Sequence, residues 1–504
     1  MDRLSLFVLA GAALSLFAGL GAAPLFDLDE GAFTAATLEM FQRGDFLSTY
    51  LNGEPRYDKP ILIYWLQAAS VSVLGWNEFA LRLPSALMGL AWAAMAGLFA
   101  RRLFDAETGV MAFVLTATAL GVSFIARAAT ADALLNACIA GTVFAQYLWL
   151  RDRRRRDLYL AWAAMGLGFL AKGPVAVAIP LGLAFLWCAS KRDWRSFWCL
   201  VWQPRAWLLF AAIALPWYVA VTAVKGPGFL EGFFLKHNVG RFAGSMEGHS
   251  GNPFYYLPVL LVATLPFTGL LVPVFVRVRR VWADDFGRYA LILLALVLAL
   301  FSFSGTKLPH YLFYGLSAFL VLLARQAMLA RSPWLLLPAL LLFLILAFFP
   351  DLVAHARPRS NAYYRDMLAD LGNWFGPGYR AWYWGAAGAA LGLMFLPQIG
   401  LARRLQFAGL LAAFGLGLML VPAVGGVLQQ PVKMAGLKAR ALDAPLVMHG
   451  LNQPSFSVYA GRVVQRRAPR AGEGVVTKVE QLSALPAHEV LYQDKAIALV
   501  RIKP

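Results

Sequence analysis

Residues 80–102 read ALRLPSALMGLAWAAMAGLFARR, a long apolar stretch that ends in two arginines. A helix of about 20 mostly apolar residues is long enough to cross the hydrocarbon core of a bilayer. The stretch therefore predicts a membrane-spanning helix. Because basic residues concentrate in cytoplasmic loops, Arg101 and Arg102 predict that this end of the helix lies in the cytoplasm.

The composition of the whole chain agrees with a membrane protein. Of its 504 residues, 60% are hydrophobic and 14% are charged, whereas soluble chains are usually about 45–50% apolar and about 25% charged. The net charge of +18 comes largely from short basic clusters between apolar runs. This pattern is typical of membrane topology rather than of a nucleic-acid surface, so we expect no nucleic-acid partner.

Similar apolar runs recur along the chain and predict about thirteen membrane spans. The runs are residues 4–26, 80–100, 107–125, 133–150, 158–171, 174–189, 206–224, 254–276, 288–303, 311–329, 333–350, 381–400 and 405–425. A cleaved signal peptide is the alternative for the first run, and either interpretation leaves the next segment outside.

The basic clusters fix the predicted orientation of these spans. With the N-terminus in the cytoplasm, every predicted inside turn holds a basic cluster, as the positive-inside rule requires. The clusters are Arg101-Arg102, Arg151 to Arg156, Lys191-Arg192 with Arg195, Arg277 with Arg279-Arg280, Arg325 with Arg331, and Arg403-Arg404.

Two outside segments are long enough to have structure of their own. In the loop 27–79, Phe33, Ala36, Met40 and Phe41 recur at helical spacing, and the apolar run 61–75 is short for a span. Both predict juxtamembrane helices at the membrane surface.

The second outside segment is the C-terminal tail, residues 427–504. Pro445–Met448 and Ala496–Ile502 predict strands, and Val475–Leu485 predicts a helix. The predicted fold class is thus an all-α polytopic membrane domain over residues 1–426, followed by a small α+β domain on the outer side.

The three cysteines, Cys138, Cys188 and Cys199, form no CxxC motif and lie in or beside apolar runs. We interpret them as buried thiols that act as small hydrophobic groups. They indicate neither a disulfide framework nor a zinc site.

Ionisable residues at the ends of spans are costly and are functional candidates by default. Asp29 and Glu30 follow the first span directly, and paired carboxylates suit general-base catalysis or the holding of a cation near a phosphate. The alternative is that the aspartate only caps a helix. Asp132, at the outer end of the third predicted span, is a further catalytic candidate.

Several cations are predicted on the same outer side, where they could bind an anionic head group. They are Lys59, Arg127, Lys172, Lys307 and Arg241. Arg241 lies four residues after His237 in the sequence. Structural alternatives stay open for each of these cations, such as an ordinary turn before a helix at Lys59 and a solvated loop around Arg241. Arg127 could form an ion pair with Asp132 at a helix end, and Lys172 could extend to lipid head groups.

At these residues the sequence resembles the GT-C glycosyltransferases, and in particular the lipid A aminoarabinose transferase and protein O-mannosyltransferase family. The resemblance is clearest over about residues 25–315. It rests on the motifs Asp27-Leu28-Asp29-Glu30-Gly31, Leu38-Glu39-Met40, Gly44-Asp45, Leu51-Asn52-Gly53, Tyr57-Asp58-Lys59-Pro60, Asn77 to Ser85, Ala126-Arg127 with Asp132, Lys172-Gly173-Pro174, His237 with Arg241, and Lys307 to Tyr311.

The resemblance implies an inverting transfer of a sugar from a polyprenyl-phosphate carrier at the periplasmic face of a bacterial inner membrane. It implies Asp29 and Asp132 as the catalytic carboxylates. Lys59, Arg241 and Tyr311 would hold the donor phosphate, and Asp58 and His237 would hold a divalent cation. Asp58 stands where the aminoarabinose transferase has Glu, and Leu-Phe-Tyr follows Tyr311 where relatives often have proline.

The acceptor implied is lipid A, another glycan or a protein, and membrane lipids surround the protein. A transporter or flippase for lipid-linked sugars is the alternative function. Transporters place charges near the bilayer midplane on broken helices in paired halves, whereas these charges lie at span ends on one side. A scaffold protein with a soluble outer domain would leave the one-sided charges unexplained.

Overall fold

The computed structural model describes residues 2–234, 240, 244, 251–356 and 361–504. Two predicted site residues, His237 and Arg241, lie outside the described residues. The described chain is mostly helical, with a two-stranded ribbon near the N-terminus and a five-stranded sheet at the C-terminus.

The helices are numbered here in chain order. They are α1 Arg3–Ser15, α2 Asp29–Arg43, α3 Leu62–Leu74, α4 Glu78–Leu103, α5 Ala106–Thr118, α6 Leu120–Ile125, α7 Asp132–Asp152, α8 Arg155–Lys172, α9 Val175–Lys191, α10 Trp194–Val201, α11 Pro204–Lys225, α12 Pro227–Leu230, α13 Tyr256–Ala263, α14 Leu271–Val276, α15 Val278–Ala283, α16 Asp285–Ser302, α17 Leu316–Leu329, α18 Leu337–His355, α19 Ala362–Met367, α20 Leu371–Trp374, α21 Pro377–Met394, α22 Leu401–Gly415, α23 Val421–Ala439 and α24 Ser455–Ala460. Short 3-10 turns cover Thr268–Leu270, Pro309–Gly315, Pro333–Leu336 and Val479–Ala484, and a π-helical turn, Leu416–Leu420, joins α22 to α23.

Seven helical segments of the described chain are long and apolar enough to cross a membrane, or eight if one bent pair counts as a span. The segments are Glu78–Leu103, Asp132–Asp152, Pro204–Lys225, Asp285–Ser302, Pro309–Leu329, Pro333–His355 and Leu401–Ala439. The bent pair, Tyr256–Ala263 and Thr268–Val276, turns by 118°. The chain is thus a multi-pass membrane protein, while the count of thirteen spans and their orientation stay predictions.

Several predicted spans are shorter or broken in the structure. In the first predicted run only Arg3–Ser15 is helical before the chain turns. The run 107–125 is interrupted at Ala119, whose backbone is extended, and the next residue, Leu120, donates its N–H to the carbonyl of Leu265.

The two juxtamembrane helices of the loop 27–79 are confirmed as helices α2 and α3. Phe33, Ala36 and Met40 bury one face of α2 in a cluster that includes Tyr64 of α3. Gly44, in the left-handed conformation that glycine adopts without steric cost, ends α2. Packing between the two helices therefore fixes the position of the first turn of α2.

Helix α7 lies at the centre of the bundle and is buried along almost its whole length. It packs against α4, α8, α9 and α17. Its first residue is Asp132, and a carboxylate at a helix N-terminus is stabilised by the helix dipole. The bundle therefore holds this carboxylate at one defined end.

The C-terminal region forms an α+β unit. Its strands are β3 Leu446–Met448, β4 Gln465–Arg466, β5 Gly474–Lys478, β6 His488–Asp494 and β7 Ile497–Ile502. They form a sheet of order β4-β3-β5-β7-β6, with β3 parallel to both β4 and β5 and the remaining pairs antiparallel. The ribbon pairs β1 Tyr50–Leu51 with β2 Glu54–Pro55.

The strand predictions at Pro445–Met448 and Ala496–Ile502 are confirmed by β3 and β7. The helix predicted over Val475–Leu485 is wrong in its first part, because β5 lies buried between β3 and β7 and only a 3-10 turn follows it. Helix α23 runs past residue 427 to Ala439 and packs against the sheet.

The cysteine predictions hold for Cys138 and Cys188, which are buried. Cys199 is exposed, so the prediction of a buried thiol is wrong there. It lies on the short helix α10, which buries only Ser196 and Leu200.

Candidate active site

A polar cavity of about 610 Å³ lies between the membrane helices and the C-terminal unit. Its walls come from α2, the segment before α3, the start of α7, the end of α8, the 3-10 turn at Pro309 and the C-terminal unit. The acidic and basic side chains that line it are Asp29, Glu54, Arg56, Asp58, Lys59, Asp132, Lys172, His310 and Arg466. The cavity thus brings together five of the site residues predicted from the sequence: Asp29, Asp58, Lys59, Asp132 and Lys172.

Asp132 accepts hydrogen bonds from two side chains of the cavity region. The ammonium of Lys172 donates to its Oδ1 at 2.5 Å, and the Thr130 hydroxyl donates to its Oδ2 at 3.1 Å. The His310 Nε2 atom lies 3.7 Å from the same Oδ1. Lys172 also donates to the Tyr314 hydroxyl at 3.0 Å. The alternative role of Lys172, reaching lipid head groups, is therefore not what the structure shows.

Asp29 is the first residue of α2, and its side chain is exposed to the cavity. Its carboxylate makes no hydrogen bond to any described residue, so the capping alternative does not hold for it. The surrounding cavity walls remove water from the carboxylate and raise its pKa, and the negative charge of Asp132 raises it further. Lys172 and Lys59 partly offset this effect. A carboxylate of raised pKa is a better general base near neutral pH.

The motif around Lys59 forms a paired cluster. The Arg56 guanidinium donates to both oxygens of Asp58, at 2.5 and 2.9 Å. The Lys59 ammonium donates to the backbone carbonyl of Asp58 at 3.1 Å and lies 3.9 Å from its Oδ2. The cluster places two cations and one carboxylate in the cavity wall.

A divalent cation at Asp58 and His237 stays a prediction, because His237 lies outside the described residues. Within the described residues, no group of three or more His, Cys, Asp or Glu side chains is arranged to hold a metal ion. Both oxygens of Asp58 accept hydrogen bonds from Arg56.

Glu30 lies outside the cavity. Its side chain is buried and forms an ion pair with Arg82, at 2.8 and 2.7 Å for the two oxygens. It also accepts hydrogen bonds from the backbone N–H groups of Phe26 and Ala129. Glu30 is therefore saturated with donors and belongs to the scaffold that supports the site.

Three further predicted phosphate ligands also lie outside the lining of the cavity. Arg127 donates to the carbonyls of Ser123, Ser15 and Ala413, and it does not pair with Asp132. Lys307 is buried and donates to the carbonyl of Ser304 at 2.8 Å. The ring of Tyr311 packs against other rings, 4.8 Å from that of Phe301. The phosphate-binding roles of these three residues stay predictions.

Sequence reasoning assigned no role to four cavity residues that contact or complete the site. His310 and Thr130 approach Asp132, and the signal that could have found His310 was the motif that also contains Lys307 and Tyr311. Asn452 and Arg466 come from the C-terminal unit. No local signal connects them to Asp29, because they are more than 400 residues away along the chain.

Comparisons with known proteins agree with this fold. The dolichyl-phosphate-mannose-protein mannosyltransferase family matches residues 58–221. An uncharacterised protein of Aquifex aeolicus is 30% identical over 302 residues, which is 59% of this chain and 67% of that protein. An undecaprenyl phosphate-alpha-4-amino-4-deoxy-L-arabinose arabinosyl transferase of Pseudomonas paraeruginosa is 31% identical over 292 residues.

The match to that arabinosyl transferase covers 56% of this chain and 52% of the relative, so the aligned part spans about half the length of that protein. Over nearly the whole chain, the fold is similar to that of a solved structure. The crystal structure of ArnT from Cupriavidus metallidurans bound to undecaprenyl phosphate superimposes with a TM-score of 0.83 at 21% identity, covering 98% of this chain and 97% of that one.

The fold and the charged cavity at the end of the helical bundle define a membrane protein of the GT-C class. The chain is similar to the polyprenyl-phosphate-sugar glycosyltransferases of this class, and in particular to the lipid A aminoarabinose transferase and the protein O-mannosyltransferases.

Proposed function

We propose that this protein is an inverting glycosyltransferase that moves a sugar, such as aminoarabinose or mannose, from a polyprenyl-phosphate carrier to an acceptor. The acceptor is lipid A, another glycan or a protein. The reaction takes place at the periplasmic face of the bacterial inner membrane, with the N-terminus in the cytoplasm. The observation that carries the proposal is the convergence of Asp29, Asp132, Lys59 and Lys172 on one cavity.

The proposed chemistry follows from the charges of the cavity. In an inverting transfer, an acceptor oxygen attacks the anomeric carbon while the bond from that carbon to the carrier phosphate breaks. The leaving phosphate gains negative charge, which a cation held in the cavity stabilises. Lys59 is suited to this role because its ammonium is already positioned by the Asp58 carbonyl. Arg241 is proposed as a second phosphate ligand.

Asp29 is proposed as the general base. A hydroxyl acceptor must lose its proton as it attacks, and no hydrogen-bond donor among the described residues occupies the carboxylate oxygens of Asp29 that would take up that proton. A phosphate acceptor is already nucleophilic and needs no base, and Asp29 would then orient it or stabilise positive charge on the sugar. Asp132, fixed by Lys172 and Thr130, is suited to orienting substrate rather than to taking up a proton.

Mass spectrometry of membrane lipids, glycans and proteins tests the proposal. Cells with the wild-type protein, without it, and with Asp29→Asn are compared. We expect one component to gain the mass of one sugar only in the presence of the wild-type protein. The transporter alternative predicts instead that sealed vesicles containing the protein move a lipid-linked sugar across the membrane and form no new glycosidic bond. That result would overturn the proposal.

A further inference from the structure

The C-terminal unit forms part of the cavity wall. Asn452, Pro454 and Arg466 line the cavity alongside Asp29 and Lys59. These three residues are called the C-terminal wall. It comes from the α+β unit, whereas the other polar walls come from the helical domain and its first loop.

The C-terminal wall is held in place by hydrogen bonds to the first loop. Gln42 of α2 donates to the carbonyl of Gly461 at 2.9 Å and accepts from the N–H of Val463 at 3.1 Å, just before β4. Asp27 accepts hydrogen bonds from the backbone N–H and the hydroxyl of Ser455. Because these contacts lie between Pro454 and Arg466 in sequence, they fix both parts of the wall relative to the start of α2.

A second set of contacts fixes the same unit to α4. The Tyr459 hydroxyl accepts from the N–H of Leu25 at 2.7 Å and donates to Glu78 at 3.1 Å. The Lys433 ammonium donates to the same Glu78 oxygen at 2.5 Å. These contacts therefore hold Arg466 at a defined position in the cavity.

The charge of Arg466 is not neutralised within the described chain. Arg56 and Lys59 lie beside Asp58, and Lys172 lies beside Asp132. Arg466 forms neither an ion pair nor a side-chain hydrogen bond with a described residue, although Glu54 also lines the cavity. The Asn452 side chain likewise makes no hydrogen bond to a described residue. A guanidinium with all its donors available matches the two oxygens of a phosphate or carboxylate.

We propose that the C-terminal wall binds the acceptor, and that Arg466 selects an acceptor that carries a phosphate or carboxylate group, with Asn452 as a second hydrogen-bonding group. This inference rests on the proposed function. The carrier phosphate is joined to a polyprenyl chain that stays in the membrane, so its cations are those of the helical domain and the first loop. The C-terminal wall, which belongs to the α+β unit, is therefore available to bind the acceptor.

Steady-state kinetics of purified protein in lipid nanodiscs test the inference. The donor is a polyprenyl-phosphate sugar. The acceptor is the total lipid and glycan extract of membranes from cells that lack the protein. Arg466→Gln is compared with the wild type, and Arg501→Gln is the matched control. Arg501 is an exposed arginine of β7 in the same sheet, outside the cavity.

We expect Arg466→Gln to raise the half-saturating concentration of the extract at least tenfold, with the KM for the donor within twofold of wild type. Arg466→Lys should restore part of the loss because it keeps the charge. Arg501→Gln should match the wild type in both constants. The unchanged KM for the donor also shows that the variant is folded.

Phosphatase treatment of the extract separates the two anions. If the wild type no longer transfers sugar to the treated extract, the group that Arg466 binds is a phosphate. If transfer to the treated extract continues and still depends on Arg466, the group is a carboxylate. If Arg466→Gln behaves like Arg501→Gln, or raises the KM for the donor instead, the inference is wrong while the proposed function stands. If the wild type incorporates no sugar from the donor, the proposed function fails and the inference fails with it.

Discussion

Asp29 and Glu30 are neighbours in the chain, yet they belong to two regions of opposite character. Glu30 belongs to a buried clamp formed with Arg82, which donates to both carboxylate oxygens and to the carbonyls of Leu20, Ala23 and Pro24. Asp29 faces the cavity without a hydrogen-bond partner among the described residues.

The difference shows that the Glu30 carboxylate is structural, whereas the Asp29 carboxylate is available to bind a substrate. Arginine has five N–H donors, and in the clamp they reach the two Glu30 oxygens and three carbonyls. A buried charge must be compensated in this way, since an unpaired one is very costly. The clamp therefore fixes the start of α2, and Asp29 at that start remains free to contact substrate.

Breaking the clamp should have the largest effect on stability. Arg82→Met leaves the Glu30 carboxylate buried without its cation, and we expect a loss of about 3–5 kcal/mol in the free energy of unfolding. Denaturation of purified protein in detergent measures this loss. The double variant Arg82→Met with Glu30→Gln removes the uncompensated charge and should be more stable than Arg82→Met alone. Equal stability of Arg82→Met and the wild type would show that the clamp is not structural.

Removing the Lys59 charge tests the cavity side of the comparison. A hydrogen bond to a charged group contributes about 1.5–3 kcal/mol, so Lys59→Met should lower kcat/KM for the donor roughly 10- to 100-fold. Stability should change little. Lys225→Met is the control, because Lys225 pairs with Asp45 and Tyr50 outside the cavity. Similar losses in both variants would contradict a specific role for Lys59.

The pH dependence of transfer should report the state of Asp29. A base acts only when it is deprotonated, so the rate should fall as pH drops through the raised pKa of Asp29, above its ordinary value of 3.8. Asp132→Asn removes a negative charge that raises this pKa. The acid limb of its residual activity should therefore move to lower pH. An unmoved limb would assign the titration to another group.

A pH-dependent effect on stability is expected at Asp27, which links the first loop to Ser455 of the C-terminal unit. Burial raises the pKa of Asp27 to about 7, while the hydrogen bonds from Ser455 oppose the rise. The folded state therefore holds this proton more tightly than the unfolded state, and stability should decline as pH rises from about 4 to 7. Asp27→Asn should flatten this decline in thermal unfolding midpoints. An identical decline in both proteins would exclude Asp27 as its source.

The sequence predicted the membrane class, the juxtamembrane helices and the carboxylates and lysines that meet in the cavity. Those residues were identifiable because each lies at the end of an apolar run and within a motif of the resembling family. The sequence could not distinguish the structural role of Glu30 from the role proposed for Asp29. The partners of Glu30, Arg82 and Ala129, are 52 and 99 residues away along the chain.

Other errors have the same origin in distant contacts. Residues 475–478 form a strand because β3 and β7 flank them, and periodicity over so short a segment does not reveal those neighbours. Arg127, five residues before Asp132, suggested an ion pair, but its two terminal nitrogens donate to three backbone carbonyls instead. Arg466 belongs to the cavity only because the C-terminal unit packs against α2 and α4.

The most direct test of the account compares sugar transfer by Asp29→Asn and Glu30→Gln, using a defined polyprenyl-phosphate sugar and protein quantified as the folded fraction. The two substitutions remove the same charge from adjacent residues. If Asp29 is the base and Glu30 is structural, Asp29→Asn loses at least about a hundredfold in rate at unchanged stability. Glu30→Gln then unfolds more easily but keeps a rate per folded molecule close to wild type. Near-normal transfer by Asp29→Asn would contradict the account.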